Sequence, residues 1–232
     1  MSVFAISDLH LALGIDKPMD IFGSRWLNYM GKIEKSWTET VSSQDYVVIP
    51  GDISWATYLG QTLEDFRFIE NLPGVKIISK GNHDYWWTTI RKLEEFISAN
   101  GFKTIRFMHN NSHVLEEFAL CGTRGWKCPG DDEFGDEDLK IYRRELQRLR
   151  MSLVDAKRHD GRKLVAALHY PPFDSKGEPS GFVEVMRDFG VHICLYGHLH
   201  GESFRNAVTG TVGGIDYRLV SADYLNFRPV EL

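Results

Sequence analysis

Nine histidines are spread along this chain, and five of them stand in short polar blocks that each follow an apolar run. The blocks are Asp8-Leu9-His10, Gly51-Asp52, Gly81-Asn82-His83-Asp84, His169-Tyr170-Pro171-Pro172 and Gly197-His198-Leu199-His200. Carboxylate, amide oxygen and imidazole together form a ligand set for Mn, Fe or Zn, and the set is too rich in nitrogen for Ca²⁺ or Mg²⁺ alone. In the fifth block, alternate residues of an extended segment point the same way, so His198 and His200 could face one ion. Taken singly, Asp8-Leu9-His10 also reads as a strand-end turn with a helix cap, and Gly51-Asp52 as an ordinary turn. Brought together, so many donors would be costly to desolvate unless a cation sat among them. Their number exceeds what one ion needs, and a carboxylate can bridge. The blocks therefore predict a two-metal hydrolytic site, with ions about 3.5–4 Å apart sharing Asp52.

The elements that must position these blocks are legible in the apolar pattern. Residues 3–7, 46–50, 75–79, 164–168 and 191–196 are Val-, Ile- or Leu-rich and apolar on both alternating faces, as in strands covered on two sides. Between them, Leu59, Leu63, Phe66 and Ile69 keep helical spacing, as do Ile90, Leu93 and Ile97, and Phe182, Val185, Met186 and Phe189. Such alternation predicts an α/β fold, and in an open α/β sheet the loops at the strand carboxyl ends gather the ligands. Residues 113–115 and 118–121, parted by Glu116-Glu117, read as a hairpin. Residues 217–222 and 227–230 read as late antiparallel strands, so two sheets packed face to face are expected.

Composition narrows the function classes. With 232 residues, 43% hydrophobic and 25% charged, and with no internal repeat or flexible linker, the chain reads as one domain over 1–232. Its net charge of −5 disfavours nucleic acid as a partner and argues against a surface that coats anionic lipid. Cys121, Cys128 and Cys194 read as free buried thiols of a reducing compartment. The opening Ser2-Val3-Phe4-Ala5-Ile6 lacks a basic leader, and no window nears the ~18 apolar residues of a membrane span. The expectation is a soluble cytoplasmic protein without a membrane partner. An acidic run, 131–138, precedes residues 139–158, where Leu139, Tyr142, Leu146, Leu149 and Leu153 form a stripe beside Arg143, Arg144, Arg148 and Arg150. That segment predicts a surface helix matched to its own dipole, or else a lid or partner face.

The five blocks in this order, from Asp8 to His200, resemble the calcineurin-like metallophosphoesterase superfamily, whose signature runs D-x-H, G-D, G-N-H-D/E, a lone H often before x-P-P, and G-H-x-H. The resemblance implies a four-layer α/β/β/α sandwich: two packed mixed sheets flanked by helices, with the metal site at the strand C-terminal ends. It implies two metal ions, divalent or trivalent, with Asp8, His10 and His200 on one, Asn82, His169 and His198 on the other, and Asp52 between them. His83 matches the catalytic histidine that contacts phosphate without binding metal, and Asn82, His83 and Trp55 are the candidate substrate contacts. Trp55 stands where Ser/Thr protein phosphatases carry a second Asp and where nuclease-type relatives often carry His, which disfavours both subfamilies. Asp84 is then the nearest candidate partner for His83, or the cap of the following helix.

The expected reaction is hydrolysis of a small phosphorylated substrate, a phosphodiester before a phosphomonoester, by a metal-bridging hydroxide and without a covalent enzyme intermediate. Two other classes stand beside it: a nuclease for short oligonucleotides, and a binding scaffold that has lost catalysis. Trp55, Tyr58, Tyr85, Trp86, Trp87, Trp126 and Tyr170 cluster near the blocks, as an aromatic wall for a flat group or as core behind the loops. Arg124, Lys127, Lys176 and Arg205 are candidate phosphate contacts.

Overall fold

Val, Ile and Leu fill both faces of the five apolar runs, so those strands must be covered twice, and a computed structural model describing all residues 1–232 shows how. The first half of the chain forms β1 (Val3–Ala5), α1 (Tyr29–Thr40), β2 (Tyr46–Pro50), α2 (Leu63–Asn71), β3 (Val75–Ser79), α3 (Ile90–Ala99) and β4 (Ile105–Phe107). The second forms β5 (His113–Leu115), β6 (Phe118–Thr123), α4 (Asp136–Ala156), β7 (Lys163–Leu168), α5 (Gly181–Phe189), β8 (Ile193–Tyr196), β9 (Gly210–Val212), β10 (Ile215–Leu219) and β11 (Val230–Glu231). One sheet has the order β11-β1-β2-β3-β4, the other β5-β6-β7-β8-β10-β9. β1 to β4 run parallel to one another, as do β6, β7, β8 and β10; β11, β5 and β9 run antiparallel at edges.

Alternation along each strand divides its side chains between two cores. Val3, Ala5, Val48 and Ile77 face Leu120, Val165, Ala167 and Leu195 across the gap between the sheets. On the outer face of the first sheet, Phe4, Val47, Ile49 and Ile78 pack with Ile33 and Trp37 of α1, Phe66 and Ile69 of α2 and Leu93 of α3. On the outer face of the second, Cys121, Ala166, Cys194 and Tyr217 pack with Leu149 and Leu153 of α4 and Phe182 and Met186 of α5. The result is the expected α/β/β/α sandwich of two mixed sheets. Each fully buried Leu, Ile or Phe contributes about 1.5–3 kcal/mol.

Helix ends are fixed by short polar residues. Thr89 accepts the Lys92 N–H to start α3, Ser180 accepts the Phe182 N–H to start α5, and Asp138 in the acidic first turn of α4 accepts the Gly135 N–H. The 131–158 segment is thus a helix of the outer layer whose apolar stripe belongs to the second core.

Three expectations about the strands change. β10 lies parallel to β8, not antiparallel, because residues 201–214 carry the chain back across the sheet through a 3-10 turn and β9. Its continuation crosses to the other sheet: Ser7 donates to Val220 O and Ala222 to Ser7 O, tying the two halves at the loop end. Residues 227–229 are not strand, since Asn226 and Phe227 take left-handed φ of 51° and 61° to turn the chain into β11. All three cysteines are free and buried, and no helix is long and apolar enough to cross a membrane.

Candidate metal centre

All five blocks lie at carboxyl ends of strands, three on one sheet and two on the other. Asp8 and His10 follow β1, Asp52 follows β2 and Asn82 follows β3; His169 follows β7, and His198 and His200 follow β8. The turns that aim them inward are strained. Asp8, His10, Asp52 and His198 have φ of 57°, 47°, 52° and 72°, a region that non-glycine residues enter only when their surroundings enforce it. Two glycines let the loops meet. A Cβ on Gly81 would stand 2.1 Å from Asp52 Oδ1, and one on Gly197 would stand 2.3 Å from both Asp8 Oδ2 and Ser7 Oγ.

The donors form two groups. In the first, His200 Nε2 is 3.3 Å from both His10 Nε2 and Asp8 Oδ1, and His10 Nε2 is 4.0 Å from Asp8 Oδ1. In the second, Asn82 Oδ1 is 2.7 Å from His169 Nε2 and 2.9 Å from His198 Nδ1. Asp52 stands between them, with Oδ2 at 3.8 Å from His10 Nε2 and 3.4 Å from His169 Nε2. Asp8 Oδ1 also lies 4.0 Å from His169 Nδ1, but that nitrogen is 3.1 Å from Pro50 O, to which it can only donate. The structure therefore brings all seven sequence-predicted ligand residues together.

Outer partners set the tautomers. His169 Nδ1 on Pro50 O and His200 Nδ1 on Asp223 Oδ1, at 2.8 Å, both leave Nε2 to present its lone pair to the cluster. Lone pairs and carboxylate oxygens then face one another at 3.3–3.8 Å, an arrangement that only a cation or a proton between them relieves. Protonation tendencies say the same. Burial opposes the charge on His200 and His169, yet hydrogen bonds to Asp223 and Asp8 push the first up to about 10, and the charge and hydrogen bond of Asp52 push the second up to about 9. His10 and His198, chiefly through burial, fall to about 4 and about 3. Burial likewise opposes ionisation of Asp8, but the hydrogen bond and charge of His200, with His169 and His10, hold its carboxyl well below the usual range. Each group thus demands positive charge at one point, and the donor set fits two cations of the Mn, Fe or Zn type.

His83 joins neither group. Its backbone N–H donates to Asp52 Oδ1 at 2.8 Å, its Nδ1 is buried without a partner, and its ring lies 4.3 Å from Trp55. Trp55 in turn stacks on His10 at 4.8 Å and carries Lys17 Nζ 3.1 Å from its ring centre. His83, Trp55, His10 and His200 line a cleft of about 600 Å³ with Trp26, Met19, Phe22 and Arg25.

Asp84 neither meets His83 nor caps a helix. It is fully buried and accepts N–H groups of Gly81, Asp52, Ile53 and Ser54 and the Trp86 indole N–H, all within 2.7–3.2 Å, pinning the second block to the third. Among the aromatics, Trp86 is core, Tyr58 and Tyr85 are exposed, and Tyr170 lies 4.3 Å from the His198 ring. Arg124 lines a different cavity. Sequence reasoning misses Asp223, although it follows the apolar run of β10 as the other acids follow theirs. It also misses Trp26 and Arg25, which sit in 3-10 turns with no periodic signal.

Comparison with known proteins agrees with the family that the five blocks resemble and with the fold. A family profile described as calcineurin-like phosphoesterase matches residues 1–202. No curated protein matches the sequence significantly. Three solved structures share the fold: the phosphopantetheinyl hydrolase of Mycobacterium tuberculosis (TM-score 0.58, 13% identity, 99% of this chain and 95% of that one), a protein of Thermus thermophilus (0.55, 12%, 99% and 97%) and a protein of unknown function from Aquifex aeolicus (0.52, 15%, 99% and 95%).

Proposed function

The chain belongs to the calcineurin-like phosphoesterase family, and from that premise we propose that it is a two-metal hydrolase of small phosphate esters, diesters before monoesters. One observation carries the reading: Asp52 Oδ2 stands within 4 Å of a histidine nitrogen from each donor group, the place of a shared ligand. The Mycobacterium tuberculosis protein of the same fold is a phosphopantetheinyl hydrolase, which supports the reaction class.

Asp8, His10 and His200 would hold one ion, Asn82, His169 and His198 the other, with Asp52 common to both. Bound there, two divalent ions would neutralise phosphoryl oxygens and lower the pKa of a bound water toward about 7. The chain's own contributions are positional. Asp52 fixes the His83 backbone through Oδ1 while Oδ2 faces both groups. His83 then offers a ring N–H to a phosphoryl oxygen or to the departing oxygen, a contribution typically worth about 10²- to 10⁴-fold. Trp55 holds the His83 ring from the side and, with Trp26, Met19 and Phe22, gives the cleft an apolar wall for the organic part of the ester. A cleft of about 600 Å³ suits a small molecule, and the net charge of −5 disfavours a polymer track. We read residues 1–232 as one domain, since β9, β10 and β11, beyond the family match, complete the two sheets, and the three free, buried thiols support a reducing, cytoplasmic compartment.

The test is hydrolysis of bis-p-nitrophenyl phosphate against p-nitrophenyl phosphate by stripped protein reloaded with Mn²⁺, with His83→Ala as control. Faster diester turnover that collapses in the control is expected. Monoester preference would replace the diester reading, and no turnover on either with metals bound would sink the catalytic one.

A further inference from the structure

Lys80, one residue before the third block, does not reach the metal cluster. It lies in the wall of a second cavity of about 470 Å³, bounded by the ends of β3 and β6, the 87–89 turn and one face of α4. Four cations, Lys80, Arg124, Arg144 and Arg148, stand there against a single carboxylate, Glu145, in a chain whose net charge is −5. Glu145 is already committed: fully buried, it accepts Arg148 at 2.8 Å, the Thr123 hydroxyl at 2.5 Å and Arg124 at 3.5 Å. Arg144 approaches it only to 4.0 Å, and Lys80 makes no ion pair. Positive charge in this wall is in excess.

Hydrogen-bond donors are in excess as well. Ser79 Oγ, Trp87 Nε1 and Arg124 Nε, all on residues of this wall, are buried without a partner in the protein. Indole and guanidinium N–H groups can only donate, so an acceptor is what they lack. The Trp126 ring, 4.4 Å from the Arg124 guanidinium, holds that cation in place. Unspent cations with a fork-shaped guanidinium among them, beside idle donors, are the complement of a tetrahedral oxyanion.

We infer that this cavity is a binding site for a phosphoryl group, separate from the metal centre. The loop 80–89 divides the two: Lys80 and Trp87 to Thr89 line this cavity, His83 lines the cleft on the metal side, and no residue lines both. The site gives Arg144 and Arg148 of α4 a common ligand. It also places an anion one residue away from the Gly81-Asn82-His83 block. Its ligand is either a second phosphoryl group of the substrate or a separate phosphate compound, and the chemistry of recognition is the same for both.

The test is calorimetric titration of metal-loaded protein with inorganic phosphate, for wild type and for a Lys80→Gln/Arg144→Gln variant. Neither residue makes a close ion pair, so the fold should persist, checked by circular dichroism. Wild type should show a phosphate site that weakens at least tenfold in the variant while binding at the metal centre remains; identical isotherms would overturn the inference. A crystal soaked in tungstate gives an independent reading if the variant misfolds. Anomalous density beside Arg124 and Arg148 is expected, and density confined to the metal centre would overturn it. Kinetics separate the sources. A KM raised tenfold in the variant only for esters with a second phosphoryl group assigns the site to substrate. A non-competitive effect of phosphate on singly phosphorylated esters, lost in the variant, assigns it to a separate anion.

Discussion

Asp52 uses its two oxygens differently: Oδ1 accepts the His83 N–H at 2.8 Å, and Oδ2 faces His10 and His169. Replacing it by Asn keeps the size and one acceptor but removes the anionic charge that both groups share. Asp52→Asn should therefore lower metal content at both positions, measured by elemental analysis after gel filtration, and full retention of both would contradict the shared-ligand assignment. Asp223 acts one step further out. Its Oδ1 holds His200 Nδ1 at 2.8 Å and so keeps the Nε2 lone pair aimed at Asp8 and His10. Losing such an outer partner commonly costs about 10- to 100-fold in metal affinity. Asp223→Ala should weaken one of two metal-binding steps by that factor and spare the other in a competitive chelator titration. Equal weakening of both would mean that Asp223 supports the loop rather than the imidazole.

The strand-end loops work only because they can touch. Gly197 is the clearest case, since its backbone lies outside the left-handed region and an added Cβ meets only crowding from Asp8 Oδ2 and Ser7 Oγ. Gly197→Ala should push the fifth block off the first. A displacement near 1 Å costs about 10²-fold in turnover, and overpacking costs about 1–3 kcal/mol of stability. Retained turnover in a folded variant would refute the close approach. What is legible in the sequence follows the strength of local signals. β2 and β3 are legible to the residue because apolar runs of five stop at Gly51 and Lys80, and the five blocks are legible because each follows such a run. α1 escapes sequence reasoning although Tyr29, Ile33 and Trp37 step by four. Its start at Asn28 is a left-handed turn at φ 50° with no side-chain cap, and Gly31 interrupts the pattern. Yet α1 carries Tyr29, whose hydroxyl donates to His10 O at 2.9 Å and so steadies the first block. β4 alternates buried and exposed over only three residues, too short a run to read, and β9 is exposed throughout. The second cavity escapes for a different reason. Lys80 and Trp87 of the 80–89 loop, Arg124 and Arg144 come from three separate segments, and only tertiary packing assembles them.

Each donor group takes residues from both sheets: Asp8 and His10 of the first meet His200 of the second, and Asn82 of the first meets His169 and His198 of the second. Protein contacts already cross at this end, where Asp8 accepts the His198 N–H at 3.1 Å and His169 Nδ1 meets Pro50 O. Cations bound there would clamp the two halves of the sandwich and oppose the repulsion among converging lone pairs. They would also offset the strain of the four left-handed donor residues, Asp8, His10, Asp52 and His198, each costing of order 1–3 kcal/mol. Such a site cannot exist in the unfolded chain, where the seven residues are scattered, so binding must add to stability by mass action. At free metal a hundredfold above its dissociation constant the gain is about 2.7 kcal/mol. For a chain of this size that corresponds to a Tm rise of about 5–10 °C. Stripped protein should therefore melt earlier by this margin, Mn²⁺ should restore it, and Asp52→Asn should flatten the difference. If calorimetry found metal bound while Tm stayed the same with and without it, the ions would be held equally well by the unfolded chain, and the clamp between the sheets would have to be abandoned.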